Sequence, residues 1–150
     1  MKYFKGCMLE AFERGDVKII ANQVGCFTMG QGVSDCIKKK WPKHAESYKW
    51  HTEYWGSDNI LGTSFDTYVP DKRCIYGLVT KDKCGCDAKQ HINYAALISA
   101  LLSCGFCRGD VIGMSCRDYE GDWLTVEQLL QDFEKVGGVE FWVYEGVVPE

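Results

Sequence analysis

Three segments of the sequence place residues that can do chemistry where a strand is expected to end. The first is residues 25–32 (GCFTMGQG), a glycine-containing connection between a buried strand and a helix. Glycines let backbone N–H groups approach an anion, and a helix start adds a partial positive charge. The pattern suits a phosphate, although glycines at such positions more often serve only as turn-formers.

The other two segments carry charged side chains. Residues 115–123 (SCRDYEGDW) place Arg117, Asp118 and Glu120 in one strand-to-helix connection, which alternatively is only a solvated loop. Lys81 directly follows a strand that is expected to end at Thr80. A lysine amine at the mouth of a site can act as a nucleophile or an electrostatic clamp, whereas an exposed lysine without a role is the simpler interpretation.

A sheet of strands alternating with helices would position these segments. Strands are predicted at residues 2–5, 17–24, 73–80, 110–115 and 139–144. The run VKIIANQV at 17–24 has the β-branched composition of a buried strand. Helical spacing begins at Gly32 and Pro42 ends that helix, and further helices are expected at residues 44–54 and 90–104. Residues 56–71 are rich in turn-forming residues and are expected to be a loop with at most a short strand.

The last helix has the clearest predicted boundaries. Thr125 is its predicted N-cap, Gln128 follows three residues later, and Gly137 and Gly138 stop it. Strands that alternate with helices imply a largely parallel sheet covered on both faces, with a ligand site beyond the carboxyl ends of the strands. Residues 1–150 have the length of one domain.

Composition and charge argue against several classes of protein. The formal net charge of −4 argues against a protein held to nucleic acid by neutralising phosphates. No apolar run approaches the roughly 20 residues of a membrane span. The charged N-terminal segment also lacks the features of a secretory signal. We therefore expect a cytoplasmic protein, and a monomer, because the domain is small and its surface charge is scattered.

Nine cysteines and three histidines raise the question of a metal site. The odd number of cysteines and the missing signal favour reduced thiols. The pairs at 84/86 and 104/107 lack the longer, paired spacing of zinc sites, so neither a metal nor a cofactor is predicted. The histidines are expected at the surface or as helix caps: His44, His51 and His91.

A series of short motifs extends along nearly the whole chain. In order they are KGCMLE at 5–10, IANQV at 20–24, MGQGV at 29–33, KKWP at 39–42, LGT at 61–63, LVTK at 78–81, NY at 93–94 and GDW at 121–123. Their order resembles the macro domain family, in particular the short stand-alone macro domains of bacteriophages and the related ADP-ribosyl-glutamate deacylases. The resemblance implies a three-layer α/β/α fold with a mixed, largely parallel central sheet, acting in the cytoplasm of a phage-infected host.

The resemblance also implies that ADP-ribose or a related nucleotide derivative binds between the two loops. The first loop and the helix after it would hold the diphosphate and the distal ribose, and the second loop would close over the same groups. The residues implied in ligand binding are Cys7, Met8, Asn22, Gly25, Met29, Gly30, Gln31, Gly32, Val33, Ser115, Cys116, Arg117, Tyr119, Glu120 and Gly121.

The deacylase branch implies two catalytic residues. Lys81 matches the lysine that attacks the distal ribose, and Asp118 is the expected acid/base partner. Counting back from Trp123 puts the partner's position on Tyr119, with Asp118 and Glu120 on either side, so this assignment is open by one residue.

Two residues depart from the family pattern. Cys7 stands where an aspartate usually accepts a hydrogen bond from the adenine amino group, and Gly25 stands where an asparagine usually meets the distal ribose. The favoured function is a hydrolase that removes ADP-ribose from an ester-linked macromolecular target. The alternatives are an ADP-ribose 1″-phosphate phosphatase and a non-catalytic module that reads or sequesters an ADP-ribose-like nucleotide, which the two replacements would permit.

Overall fold

The computed structural model describes residues 1–82, 92–116 and 123–146. Within these ranges the chain forms six strands and five α-helices. The strands are β1 (Lys2–Phe4), β2 (Ile19–Gly25), β3 (Ser64–Val69), β4 (Arg73–Lys81), β5 (Val111–Ser115) and β6 (Glu140–Tyr144). The helices are α1 (Met8–Arg14), α2 (Val33–Lys40), α3 (Pro42–Trp55), α4 (Tyr94–Ser103) and α5 (Trp123–Gly137).

The strands form one sheet in the order β1-β6-β5-β2-β4-β3. All neighbours are parallel except β3 and β4, which form an antiparallel pair at one edge. The sheet is therefore mixed and largely parallel, as predicted. Strand β2 lies between two neighbours and is buried from Ile20 to Gly25, which explains its continuous run of mostly apolar residues.

Helices cover both faces of the sheet. On one face α1 and α2 pack on alternate residues of the central strands, among them Ile20 and Ile75. On the other face α4 and α5 pack on the intervening residues, among them Ala21 and Leu78. Successive side chains of a strand point to opposite faces, so one sheet supports both cores. The result is the predicted three-layer α/β/α arrangement.

The edge strand β3 is fitted to the sheet by one glycine. A Cβ atom on Gly77 of β4 would lie 2.2 Å from the ring of Phe65 on β3, so only glycine lets the ring lie across β4. Phe65 and Gly77 are direct partners in the antiparallel pair. The ring also lies against Tyr48 and His51 of α3, which fixes this helix over the edge of the sheet.

The secondary structure differs most from the prediction in three segments, while other element ends shift by a few residues. Residues 56–71 were expected to be mainly loop, but β3 occupies Ser64–Val69 because its side chains alternate between buried and exposed (SFDTYV). Thr125 was predicted as an N-cap and instead lies inside α5, which already includes Trp123. Helix α1 was not predicted; it buries Met8, Leu9, Ala11 and Phe12 in a single short amphipathic segment.

Pro42 separates two helices, as expected. Helix α2 ends at Lys40, and Pro42 occupies the first turn of α3, where its missing N–H leaves no hydrogen bond unmade. Within the three described ranges, no helix is both long and apolar enough to cross a membrane.

Candidate functional site

The helices that come after β2 and β5 lie on opposite faces of the sheet. Helix α2 packs on one face, and α5, the next described element after β5, packs on the other. Along the described residues β2 pairs with β4 from Ile19 to Gly25 but pairs with β5 only at Ile19 and Ile20. Neighbouring parallel strands with diverging connections leave a crevice at their carboxyl ends, which is where ligands bind in open α/β sheets.

The first loop, residues 25–32, follows β2 at the carboxyl edge of the sheet, where such a crevice is expected, and is held by backbone hydrogen bonds. The N–H of Gly25 donates to the carbonyl of Thr28 at 2.8 Å, and the N–H of Cys26 donates to the carbonyl of Lys81 at 2.8 Å. The hydroxyl of Tyr48 on α3 donates to the carbonyl of Gly25 at 2.8 Å. The base of the loop is therefore fixed to both β4 and α3.

Two glycines give the loop its path into α2. Gly30 has a φ of 95° and Gly32 a φ of 69°, which a residue with a side chain adopts only with strain. The first intrahelical bond is donated by the N–H of Cys36 to the carbonyl of Gly32. The N–H groups of Val33, Ser34 and Asp35 precede that bond and point out of the helix start. This arrangement is suited to an anion.

A buried polar network lies beneath the loop. The side-chain amide of Asn22 donates to Ser34 Oγ at 2.9 Å, and the Ser34 hydroxyl donates to the carbonyl of Met29 at 2.8 Å. On its other side, Asn22 Oδ1 lies 3.0 Å from His44 Nε2. Asn22, a predicted ligand residue, is 0 % exposed in this structure, and its side chain links β2 to the first residues of α2 through Ser34.

His44 is a member of this network that the sequence did not reveal. It was expected at the surface or as a helix cap, yet it is fully buried between Asn22 and Thr67, whose Oγ1 lies 2.9 Å from His44 Nδ1. Burial lowers the pKa of His44 to about 4, so the ring is neutral near pH 7. Asn22 Oδ1 can only accept, so Nε2 carries the proton.

Lys81 lies beside the first loop. It ends β4, is paired with Gly25 of β2, and its carbonyl receives the Cys26 N–H. Its side chain belongs to a partly exposed residue at the sheet's carboxyl edge. The buried thiol of Cys26 has a pKa raised mainly by burial, with a smaller effect of the negative charge of Asp82, so it is a poor nucleophile there.

The second predicted loop can be placed only at its start. Ser115 is buried at the carboxyl end of β5, and Cys116 follows it half-buried. The predicted acid/base residue Asp118 and its neighbours fall in residues 117–122, outside the described residues, and so do the predicted ligand contacts of that segment: Arg117, Tyr119, Glu120 and Gly121.

The remaining predicted ligand residues divide by burial. Cys7, Met8 and Val33 belong to the hydrophobic core beneath α1 and α2, and Met29 packs in a neighbouring buried cluster, so their side chains face the interior. Only the backbone at these positions is available to a ligand. Gln31 is exposed in the first loop, so its side chain remains accessible.

The described cysteines offer no metal centre. Across the described part of the chain, no three His, Cys, Asp or Glu side chains come together as metal ligands. Cys104 directly follows α4, its thiol donates to the carbonyl of Ala100, and burial raises its pKa to about 12. The other cysteine pair, at 84 and 86, lies outside the described residues.

A separate groove of about 640 Å³ lies between α3 and β3 at the edge of the sheet. None of the predicted site residues lines it. Tyr48 of α3 contacts the first loop, whereas Trp50 of the same helix lines the groove.

Comparisons with known proteins relate the chain to phage and bacterial proteins. No protein-family model matches it. It is 35 % identical over 107 residues, 68 % of its own length, to an uncharacterized 17.5 kDa protein in the tk-vs intergenic region of Enterobacteria phage T4. The match spans 64 % of that relative, less than two-thirds of its length.

Solved structures agree over almost the entire chain. The macrodomain of Thermus aquaticus DarG is 25 % identical, with a TM-score of 0.73 over 96 % of this chain and 97 % of that one. A macrodomain protein from Streptomyces coelicolor is 21 % identical, with a TM-score of 0.74 over 96 % and 97 %. The sheet order, the helix layers and these similarities lead to one conclusion, that the chain has the macro domain fold.

Proposed function

We propose that the protein binds ADP-ribose in the crevice between β2 and β5 and hydrolyses the bond that joins ADP-ribose to an ester-linked target. One observation carries the proposal: Lys81, at the end of β4, lies directly beside the first loop and is bonded to it through its carbonyl. A lysine there is adjacent to any sugar whose diphosphate rests on α2.

Binding would rest on backbone groups more than on side chains. The free N–H groups at the start of α2 would receive the diphosphate, since a helix start favours an anion. Cys7 and Gly25 lack the acceptors that macro domains usually offer to the adenine and the distal ribose. Each lost polar contact costs about 1 to 3 kcal/mol, so we expect affinity for ADP-ribose more than tenfold below that of a family member with both residues.

In the proposed reaction the ε-amino nitrogen of Lys81 attacks the anomeric carbon of the distal ribose. A carbon–nitrogen bond forms as the bond to the ester oxygen breaks, and that bonding pair leaves with the carboxylate of the target. Asp118 takes the proton from the attacking nitrogen. Water then displaces the lysine, which regains a proton, and ADP-ribose is released.

The test is product analysis with a glutamate-ADP-ribosylated peptide and, separately, free ADP-ribose 1″-phosphate. We expect release of ADP-ribose from the peptide and, with Lys81→Ala, at least about a hundredfold loss of turnover while ADP-ribose binding by calorimetry changes by less than about threefold. Lys135→Ala, which removes an exposed lysine on α5, is the matched control and should retain full activity.

Each other result points away from the proposal. Release of phosphate from ADP-ribose 1″-phosphate, without action on the peptide, would assign the phosphatase reaction. Binding of ADP-ribose with no turnover of either substrate would assign a reader or sequestering module. Absence of both heat and a shift in melting temperature would remove the shared premise.

The relative in phage T4 supports the cytoplasm of an infected bacterium as the place of action.

A further inference from the structure

We infer that the groove between α3 and β3 binds an extended polypeptide segment carrying basic side chains, which would add to the sheet as a seventh strand next to β3. The inference concerns a different surface from the crevice and does not depend on ADP-ribose binding. It rests on three properties of the groove: exposed aromatic rings, an open strand edge and unpaired carboxylates.

Aromatic side chains are concentrated around this groove and remain exposed. Trp50 is 68 % exposed and Trp55 59 % exposed on α3, and Tyr68 is 73 % exposed on β3. Trp50 stacks on Tyr54 with ring centroids 5.5 Å apart, and Tyr54 meets Trp55 edge-on at 4.9 Å. Large exposed apolar residues normally occur singly on a soluble protein, so a cluster bordered by polar groups indicates a surface for a partner.

The strand edge beside these rings is open. Among the residues that the structure describes, β3 is the last strand of the sheet and pairs with β4 alone. Five consecutive residues of β3, from 64 to 68, line the groove. One wall of the groove is therefore formed by nearly the whole strand. An extended peptide can pair with such an edge through its main chain, with alternate side chains entering the space under α3.

The charged residues of the groove indicate which side chains that peptide would carry. Glu46 of α3 and Asp66 of β3 line the groove with one lysine, Lys43, so the lining is acidic on balance. Asp66 is exposed beside Tyr68 on the strand face away from α3, while Glu46 lies among the rings of α3. Lysine or arginine side chains would meet a carboxylate on either face and can lie over the aromatic rings as cation–π partners.

The same charges argue against the other occupants of such a groove. A second copy paired antiparallel through β3 would bring Asp66 near its own counterpart, which destabilises a cross-strand pair. Nucleic acid would need a basic surface along its phosphates, and this lining is acidic. A basic extended peptide would lie over the rings, pair with the strand edge and bind the carboxylates.

The experiment is fluorescence anisotropy of the full chain with three labelled octapeptides. One alternates lysine with threonine, one alternates glutamate with threonine, and one repeats the lysine peptide with alternate backbone nitrogens methylated. We expect the lysine peptide to bind at least about tenfold more tightly than the glutamate peptide, because opposite charges meet along the groove. Methylation should abolish binding, because it removes main-chain donors.

Variants locate the binding on the groove. Trp50→Ala and Asp66→Lys should each weaken the lysine peptide about tenfold. Their matched controls are Leu124→Ala and Asp132→Lys, exposed positions on α5 in the opposite layer, which should bind as the unmodified chain does. Tyr68→Thr, which keeps a strand-forming residue, serves in place of Trp50→Ala if that variant melts early.

Three outcomes would overturn the inference. The first is equal binding of the lysine and glutamate peptides, and the second is equal loss in the α5 controls. The third is sedimentation showing a dimer that Trp50→Ala dissociates, which would assign the groove to a second copy. Because no ADP-ribose enters this assay, its failure is separate from failure of the proposed hydrolase.

Discussion

The carboxyl half of the central sheet contains most of its buried polar side chains, whereas the buried side chains of the amino half are apolar. Seven buried side chains of the described residues are polar, and five of them lie at the carboxyl ends of β2, β4 and β5 or at the start of α2. These five are Asn22, Gln23, Ser34, Thr80 and Ser115. Towards the amino ends the buried side chains are apolar, as with Ile20, Ile75, Ile112 and Phe141.

The difference separates what stabilises the fold from what positions the site. Apolar burial contributes roughly 25 cal/mol per Å² whatever the direction of contact, so the amino half supplies stability without fixing any one loop. Buried hydrogen bonds are directional, and a partner removed leaves an unsatisfied group. Through Asn22 and Ser34, the polar half therefore fixes residues 25–32 relative to β2.

The largest effect on stability should come from the apolar half. Leu101 is fully buried near the end of α4, so Leu101→Ala leaves a cavity and should lower the free energy of unfolding by about 3 kcal/mol. Denaturant titration measures this. Leu102→Ala, the neighbouring residue at 64 % exposure, should change it by less than about 0.5 kcal/mol. ADP-ribose affinity below the melting range should be the same in both, and a loss confined to Leu101→Ala would contradict the separation of the two halves.

The next effect comes from the titration of His44 in the polar half. Its pKa is about 4 in the folded chain and 6.5 ordinarily, so the unfolded chain takes up a proton in this interval that the folded chain does not. Stability from this residue is complete above about pH 7 and falls as the pH drops from 6.5 to 4. We expect the free energy of unfolding to be about 2 kcal/mol lower at pH 5 than at pH 8.

Comparison with two variants isolates this contribution. His44→Gln should lower the stability at pH 8 but remove most of the difference between pH 8 and pH 5. His51→Gln is the matched control, because burial also lowers the pKa of His51, but that residue is only half-buried. A pH dependence that is unchanged in His44→Gln would mean that the ring is solvated and that the network is not closed around it.

Much of the architecture was accessible from the sequence because it depends on local patterns. The β-branched run of β2, the helix stop before Pro42 and the alternation of strands with helices each follow from a few neighbouring residues. Strand β3 was expected to be mainly loop because the glycine, serine and aspartate residues of that segment outweigh its alternation of apolar and polar residues. The strand pairs with β4, where Phe65 packs over Gly77. Tertiary packing therefore determines the conformation of this segment.

The residues of the candidate site differ in the same way: those marked by local position were predicted, and those joined by long-range contacts were not. The glycine loop and Lys81 were identified by their positions after strands, and strand order then brings them together. The network of Asn22, Ser34 and His44 joins residues 12 and 22 positions apart, and no local spacing reveals such a contact. A histidine in an amphipathic helix indicates neither burial nor exposure until the partners across the sheet are known.

The smallest effect on stability tests whether the network positions the loop. Ser34→Ala removes the hydroxyl that links the Asn22 amide to the Met29 carbonyl and should lower the free energy of unfolding by about 1 kcal/mol. Because Met29 and the start of α2 would lose their fixed relation to β2, ADP-ribose affinity should fall severalfold as well, measured by calorimetry. Ser103→Ala is the control: its hydroxyl bonds Ser64 and the carbonyl of Ala100 and not the first loop, so this variant should leave ADP-ribose affinity unchanged. If Ser34→Ala lost stability but bound ADP-ribose as tightly as the unmodified chain, the buried polar groups would serve the fold alone, and the contrast between the two halves of the sheet would be one of composition without a bearing on the ligand.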